Sequence, residues 1–207
     1  MKKKFPDIQV MNYRQALEYV YSYSGDPEYP KYAIISIQDP TFGYGFGLAF
    51  QKGGNCLAAL NIRFSDCTPA IQLKGTRLMS WENAIEIHDF VENLPDDTEL
   101  LIIHCNKGLS RSVAVAAAIS LVKTGSYEKI INYKNFLNDE ASLRNKYVYC
   151  TMLETYGRHN DYQKKYYESD KKLMDSVSAN FPQDLSQEDI SIFTKILSTL
   201  ANLPEED

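Results

Sequence analysis

The chain has 207 residues, of which 44% are hydrophobic and 24% charged, and it contains 10 Gly and 8 Pro. These proportions are typical of one compact globular domain with a small appendage, and they exclude disordered and collagen-like chains. The formal net charge is −5, so no general nucleic-acid surface is expected, because such a surface needs a basic excess. No run of 18 apolar residues occurs, and no apolar signal core follows the basic start. We therefore expect a cytoplasmic protein without a membrane span.

The apolar spacing along the chain alternates between strand and helix patterns. Runs rich in β-branched residues predict buried strands, and apolar residues recurring every three or four positions predict amphipathic helices. Strands alternating with helices are typical of an α/β fold with a mostly parallel central sheet flanked by helices. In chain order, the sequence predicts a helix over 13–23 behind an Asn12 cap, strands over 32–37 and 56–64, a helix from Ser80 to the break at 93–97, a strand over 100–104, a helix over 112–123 closed by Gly125, and a helix over 145–156.

The predicted strands and the sharpest motif all precede residue 160, so we expect a main domain over 1–158 and a helical C-terminal extension over 159–207. The last helix, over 186–202, carries an apolar stripe. That stripe offers a partner or dimer contact, although such stripes more often pack against their own chain. Gly43, Gly45 and Gly47 open no recognisable helix, and we interpret them as a flexible loop rather than a nucleotide fingerprint.

Four cysteines lie at positions 56, 67, 105 and 150, with no Cys-x-x-Cys pair and no His at metal-ligand spacing. This argues against a zinc site and against a disulfide framework. Cys56 and Cys150 are expected to be small core residues. Cys67 is expected to be a surface thiol of no consequence, the alternative being that it forms a disulfide with an oxidised Cys105.

The residues that carry chemistry follow one another at a predicted strand-to-helix junction, His104-Cys105-Asn106-Lys107-Gly108-Leu109-Ser110-Arg111-Ser112. Backbone N–H groups in such a turn, together with the positive end of the helix dipole, form an anion site. The sequence therefore predicts a phosphate-binding loop over residues 106–111. Arg111 offers a planar fork for two phosphate oxygens, and Gly108 permits the positive φ that the turn requires.

The cysteine that opens this loop lies against the same donors. Helix N-termini and nearby cations favour the ionised form of a thiol, so Cys105 is expected to be a thiolate. A thiolate at the floor of a phosphate cradle is placed for in-line attack on phosphorus. Ser112 can donate its hydroxyl to the sulfur when the sulfur leaves again. His104 is expected to hydrogen-bond to the loop backbone, as a supporting residue and not as a base.

His104-Cys105-x5-Arg111-Ser112 resembles the signature of the cysteine-dependent protein tyrosine and dual-specificity phosphatases, and the chain is similar to short microbial and phage members of that family. The similarity extends to the segments at 33–40, 64–66 and 145–149. It implies a dual-specificity phosphatase-like fold and a phosphocysteine intermediate on Cys105. It also implies phosphoryl binding by Arg111, and an aspartate on a separate loop as general acid. It implies no metal and no cofactor.

Two aspartates compete for the role of that acid. Asp66 is the first choice because it follows a predicted strand whose carboxyl end faces the same side as Cys105. The insert over 67–80 makes its interval to Cys105 longer than is usual in small members. Asp39 is the rival, and it is more simply interpreted as a turn residue before Pro40.

The sequence thus predicts a phosphatase acting on phosphotyrosine and on phosphoserine or phosphothreonine. Phosphoinositides, nucleotides and RNA 5′-triphosphate ends stay open as substrates. A phosphate-binding module with little turnover, in which Cys105 merely lines the cradle, is the rival from another class. Lys107 would add positive charge at the mouth of the pocket.

Overall fold

A computed structural model describes residues 4–40, 49–133 and 143–156. Strands and helices alternate along this part of the chain, as the sequence predicts. In chain order they are β1 (Asp7–Asn12), α1 (Tyr13–Tyr23), β2 (Tyr32–Gln38), β3 (Cys56–Arg63), α2 (Trp81–Glu92), β4 (Leu100–Cys105), α3 (Arg111–Thr124) and α4 (Lys146–Thr155).

Within the described residues, the strands form one parallel sheet in the order β1-β4-β2-β3. The most apolar strands, β2 and β4, lie at its centre. Every residue of β4 is buried, and so is every residue of β2. Continuous burial on both faces is what parallel sheets require, because helices cover both sides. The predicted fold class, an α/β fold with a mostly parallel sheet flanked by helices, is confirmed.

Side chains alternate between two cores on the opposite faces of the sheet. Tyr32 and Ile34 of β2 pack with α1, whereas Ala33 and Ile35 pack on the other side, where the buried residues of α2, α3 and α4 lie. Helix α3 is rich in alanine, and its alanines are fully buried. Small side chains allow the helix that follows the candidate loop to lie close against β4.

The helix ends follow from local side-chain chemistry. Asn12 and Ser80 each form a reciprocal capping box with the residue three positions later, which satisfies two backbone donors at once. Gly125 ends α3 in the left-handed conformation, with φ 76°. Asn145 caps α4 by accepting from the Val148 backbone N–H at 3.0 Å. The helices therefore begin and end close to the predicted positions.

Strand β1 was not predicted, because its six residues mix polar and apolar side chains and lack the continuous apolar run that indicated the other strands. The glycines at 43–47 lie outside the described residues, and so do the predicted C-terminal extension over 159–207 and the helix predicted over 186–202. No helix in the described part of the chain has both the length and the hydropathy needed to cross a bilayer.

Candidate active site

The carboxyl ends of all four described strands meet at one edge of the sheet. Cys105 ends β4 and pairs in register with Asn12, which ends β1. Asp39 follows β2, and Phe64 follows β3. Parallel α/β sheets bind ligands at this edge, because successive loops and helix N-termini converge there. The predicted loop over 104–112 therefore lies where a ligand site is expected.

Cys105 lies at the floor of this loop and is only 2% exposed. Its sulfur accepts a hydrogen bond from the Gly108 backbone N–H at 3.3 Å. The Ser112 hydroxyl lies 3.1 Å from the same sulfur. Ser112 belongs to the first turn of α3, so the sulfur also faces the positive end of that helix. Each of these groups stabilises negative charge on sulfur.

Gly108 gives the loop its shape. Its φ of 72° lies in the left-handed region, which side-chain-bearing residues rarely adopt. An added Cβ would lie 2.7 Å from the Asn12 nitrogen and 2.7 Å from the Met11 carbonyl carbon. The Tyr13 N–H also donates to the Asn106 carbonyl at 3.3 Å. The loop is therefore packed against the end of β1 and the start of α1, and glycine is required at position 108 for two separate reasons.

Arg111 closes the loop and is 3% exposed. Its Nη1 donates to the Phe64 carbonyl oxygen at 2.7 Å and lies 3.6 Å from Asp39 Oδ2. Its Nε is buried and has no hydrogen-bond partner. One edge of the guanidinium is thus anchored to the ends of β2 and β3. The Nε edge holds an unsatisfied donor.

Asp39 is more than the turn residue that the sequence favoured. It is 10% exposed and forms the ion pair with Arg111, and its Oδ1 accepts from the Ser65 hydroxyl at 3.1 Å. It therefore holds the arginine of the loop in place. The turn interpretation considered only Pro40 and is incomplete, because strand order also places the end of β2 beside Arg111.

Asp66 lies exposed near the loop. Its Oδ1 accepts two hydrogen bonds, from the Ser110 hydroxyl at 2.7 Å and from the Asn145 side-chain amide at 2.8 Å. The structure therefore brings the first-choice acid to the loop that carries Cys105. Asp66 is exposed, whereas the Asp39 side chain is only 10% exposed.

The insert over 67–80 does not carry Asp66 away from the loop, because the insert is closed at its base. The Ser65 N–H donates to the Arg77 carbonyl at 2.7 Å, and the Arg77 N–H donates to the Ser65 hydroxyl at 3.1 Å. After the pair of Ser65 and Arg77, the Tyr147 hydroxyl donates to the Met79 carbonyl at 3.0 Å. The insert therefore begins and ends at nearly the same place, so the long interval in sequence between Asp66 and Cys105 is not a long distance in space.

His104 lies beneath the loop and is 1% exposed. Neither ring nitrogen has a partner at full hydrogen-bonding distance and angle, and the interaction with the loop backbone is limited to a contact with Cys105 that favours the protonated ring. The ring packs between Tyr13 and Phe50, at centroid distances of 5.7 and 5.0 Å. Burial lowers the pKa of His104 to about 4, with a smaller contribution from the charge of Arg111, while the Cys105 backbone acts in the opposite direction. The imidazole is therefore neutral at physiological pH and acts as a packing group.

Cys67 is buried, so the expectation of a surface thiol was wrong. Burial raises the pKa of the Cys67 thiol, and the neighbouring Asp39 and Asp66 raise it further. The neutral thiol is thus favoured. Cys56 and Cys150 are core residues, as predicted. Of the outer loop residues, Asn106, Lys107 and Leu109 are exposed at the rim.

Sequence reasoning did not assign a role to Asn145 or to Ser65. Both side chains are buried and hydrogen-bonded to a site aspartate. Asn145 was visible as a polar residue ahead of an apolar helical run, which indicates a helix cap. Nothing in that pattern indicates that its other end reaches Asp66, 79 positions earlier.

No family model matches the chain, and the search of curated proteins found no match. Three solved structures to which the chain is similar are Tk-PTP in its active form, DUSP15, and PTPMT1 in complex with PI(5)P. For Tk-PTP the TM-score is 0.38 at 15% identity, covering 82% of this chain and 95% of that one. For DUSP15 it is 0.39 at 18% identity, covering 89% and 97%. For PTPMT1 it is 0.37 at 9% identity, covering 86% and 97%. All three are tyrosine or dual-specificity phosphatases, the group that the loop sequence resembles.

Proposed function

We propose that this protein is a cysteine-dependent phosphatase that hydrolyses phosphomonoesters, including phosphotyrosine and phosphoserine or phosphothreonine, through a phosphocysteine intermediate. One observation carries the proposal. The buried Cys105 sulfur lies at the N-terminus of α3, with Gly108 N–H and the Ser112 hydroxyl directed at it, inside a loop that an anchored Arg111 closes.

Binding of a phosphate in this loop would satisfy a donor that is buried without a partner. An unpaired buried polar group costs about 1–3 kcal/mol, and Arg111 Nε is such a group. Nη1 is already held by the Phe64 carbonyl, so the guanidinium can present Nε and Nη2 to two phosphate oxygens without losing its anchor. Arginine provides a planar, bidentate contact of this kind, whereas lysine does not.

In the first step the Cys105 thiolate attacks phosphorus and forms the S–P bond, while the bond from phosphorus to the leaving oxygen breaks. Asp66 gives its proton to that oxygen. The charge on the equatorial phosphoryl oxygens is stabilised by the loop N–H groups and by Arg111, which are already in position before the reaction begins.

In the second step a water molecule attacks phosphorus and the S–P bond breaks, which returns the electron pair to sulfur. Asp66 takes the proton of the attacking water. Ser112 donates its hydroxyl to the sulfur, which makes the thiolate a better leaving group. The 3.1 Å separation of the two atoms supports this role.

The test is phosphate release from a panel of phosphopeptides, inositol phospholipids, nucleotides and triphosphate-ended RNA, with Cys105→Ser as the inactive variant. A serine hydroxyl without a base is a weak nucleophile, so we expect no turnover but retained binding of inorganic phosphate by calorimetry. Cys56→Ser is the matched control, because Cys56 packs in the core on the face of α1.

Two results would contradict the proposal. If Cys105→Ser and the unmodified protein released phosphate equally from every substrate, a covalent route through Cys105 would be excluded. If the unmodified protein bound phosphate but turned over none of the panel, the loop would be a binding module and not an active site.

A further inference from the structure

The insert over 67–80 is built from two hydrogen-bonded turns. The N–H groups of Ile71 and Thr76 each donate, at 3.0 Å, to the carbonyl three positions earlier. Gly75 lies at the third position of the second turn with φ 87°, and a positive φ at that position favours glycine. The insert therefore presents its side chains from a defined backbone.

The insert exposes two aliphatic side chains at the edge of the sheet where Cys105 lies. Ile71 is 36% exposed and Leu73 is 43% exposed. Because the insert connects the carboxyl end of β3 to the start of α2, it lies at the same edge as the other strand ends. Trp81, which is 52% exposed, follows the insert as the first residue of α2. Apolar side chains that are gathered beside a pocket, and not scattered singly, indicate a contact surface.

The charge of the insert is positive. Its charged residues are Lys74 and Arg77, and both are exposed. The Ser80 side chain and the Glu82 backbone lower the pKa of the Glu82 carboxyl, and the charge of Arg77 lowers it further. The Arg77 side chain therefore lies near the first turn of α2. Cations beside apolar side chains are complementary to a partner that carries carboxylates and apolar groups.

The proposed reaction sets the direction in which a bound substrate extends from the pocket. Asp66 protonates the leaving oxygen, so the rest of the substrate lies beside Asp66, and the insert begins at the next residue. A peptide carries apolar side chains and carboxylates at fixed spacing. An anionic lipid surface would instead meet Asp66, Glu82 and Glu86, which are exposed before and after the insert, and like charges repel. These observations favour a peptide.

We propose that the insert over 67–80 is a docking site for the peptide segment that flanks the phosphorylated residue of a protein substrate. Ile71 and Leu73 contact apolar side chains of that segment, and Lys74 and Arg77 pair with its carboxylates. This inference rests on the proposed function. It narrows the substrate class to phosphoproteins with apolar and acidic residues beside the phosphorylated one.

Two double variants test the two kinds of contact separately. Ile71→Ser with Leu73→Ser removes the apolar side chains, and both positions are exposed, so folding should be retained. Lys74→Gln with Arg77→Gln removes the charges but keeps the closure of the insert, because Arg77 contributes to that closure through its backbone. Thermal unfolding would verify that both variants fold.

Ile131→Ser is the matched control. Ile131 is 39% exposed, close to the exposure of the two aliphatic residues of the insert. Its N–H donates to the Ile8 carbonyl at 2.8 Å, near the amino end of β1 and therefore at the edge opposite Cys105. It should behave as the unmodified protein with every substrate.

The substrates are p-nitrophenyl phosphate and two phosphotyrosine peptides of equal length. One peptide carries Leu and Glu on both sides of the phosphotyrosine, and the other carries Ser and Gln. We expect the unmodified protein to prefer the first peptide by about 10-fold in kcat/KM, the lower end of the roughly 10–200-fold that one methylene contributes in an apolar pocket.

Each double variant should raise KM for the first peptide and leave kcat unchanged, since it removes binding that is equal in the ground state and the transition state. The loss caused by Lys74→Gln with Arg77→Gln should shrink as salt is added, because salt screens exposed charges. Turnover of p-nitrophenyl phosphate, which has no flanking residues, should change less than about twofold, since only the 10-fold peptide contact is removed.

Three results would overturn the inference while Cys105-dependent turnover of p-nitrophenyl phosphate upheld the proposed function. They are equal kcat/KM for the two peptides, equal losses on peptide and aryl phosphate in the double variants, and equal losses in Ile131→Ser. Binding to vesicles of phosphatidylcholine and phosphatidylserine that the double variants abolish, without any peptide preference, would assign the insert to a lipid surface and overturn it as well. Absence of Cys105-dependent turnover of every substrate would overturn the proposed function and this inference with it.

Discussion

Substituting Gly108 by alanine tests whether the end of β1 shapes the phosphate loop. The left-handed backbone at φ 72° costs an L-residue about 1–2 kcal/mol. The new Cβ would also lie 2.7 Å from the backbone nitrogen of Asn12 and 2.8 Å from the Met11 carbonyl oxygen. Overpacking of a buried contact typically costs about 1–3 kcal/mol. We therefore expect Gly108→Ala to lower the free energy of unfolding by about 2–5 kcal/mol.

The chain should still fold, because domains of this kind have about 5–15 kcal/mol of stability. Turnover should fall by on the order of 10²-fold, since relief of the collision displaces an N–H donor that lies 3.3 Å from the Cys105 sulfur. The assays are denaturant unfolding followed by fluorescence, and phosphate release at saturating substrate.

Gly125→Ala is the matched control. Gly125 has nearly the same φ, 76°, but nothing lies within 4 Å of an added Cβ. It should cost about 1–2 kcal/mol of stability and leave kcat unchanged. Equal losses of stability and equal activities for the two variants would refute the reasoning, because the contact with Met11 and Asn12 would then have no part in shaping the loop.

The remaining predictions concern other residues of the site. Arg111→Lys should lower kcat/KM by on the order of 10²-fold or more, because a point charge cannot replace the planar fork; near-normal activity would show that the fork does not bind phosphate. Asp66→Asn should lower the turnover of alkyl phosphates more than that of activated aryl phosphates. It should also flatten the limb of the pH–rate profile that reports the ionisation of Asp66. Asp39→Asn should weaken all substrates alike, through Arg111, and the reverse pattern would make Asp39 the acid. The pKa of His104 is about 4 in the folded chain, below its ordinary value, so an unfolded chain takes up a proton first as pH falls below about 6.5. Stability should then drop by about 1.5 kcal/mol between pH 6.5 and 5, and His104→Phe, which keeps the ring packing, should lose this part of the drop in denaturant unfolding at the two pH values.

The helix ends and the strand-to-helix junction could be predicted from the sequence. The Asn12 and Ser80 caps, the Gly125 helix end and the strand-to-helix junction at Cys105 each depend on residues within a few positions of one another. A capping box or a left-handed glycine selects its own backbone conformation whatever the rest of the chain does. For this reason the amino-acid order alone identifies the loop, its candidate nucleophile and its arginine.

Tertiary structure decided what surrounds that loop. The order β1-β4-β2-β3 places the ends of β1, β2 and β3 around residues that are far from them in sequence. It thereby sets Met11 against Gly108, pairs Asp39 with Arg111 and buries Cys67. Strand order depends on how whole faces pack and not on any local pattern, so none of these contacts could be predicted from spacing.

The same reason explains why only one of the two contacts of the Asn145 side chain could be predicted. Its role as the cap of α4 follows from the residues beside it. Its contact with Asp66 exists only because α4 packs beside α2 and α3 and brings that cap to the mouth of the loop. The sequence by itself identified the loop and its candidate side chains, whereas the packing of helices on the sheet brought the Asp66 carboxylate to that loop, because proximity across 79 positions is a property of the assembled layers alone.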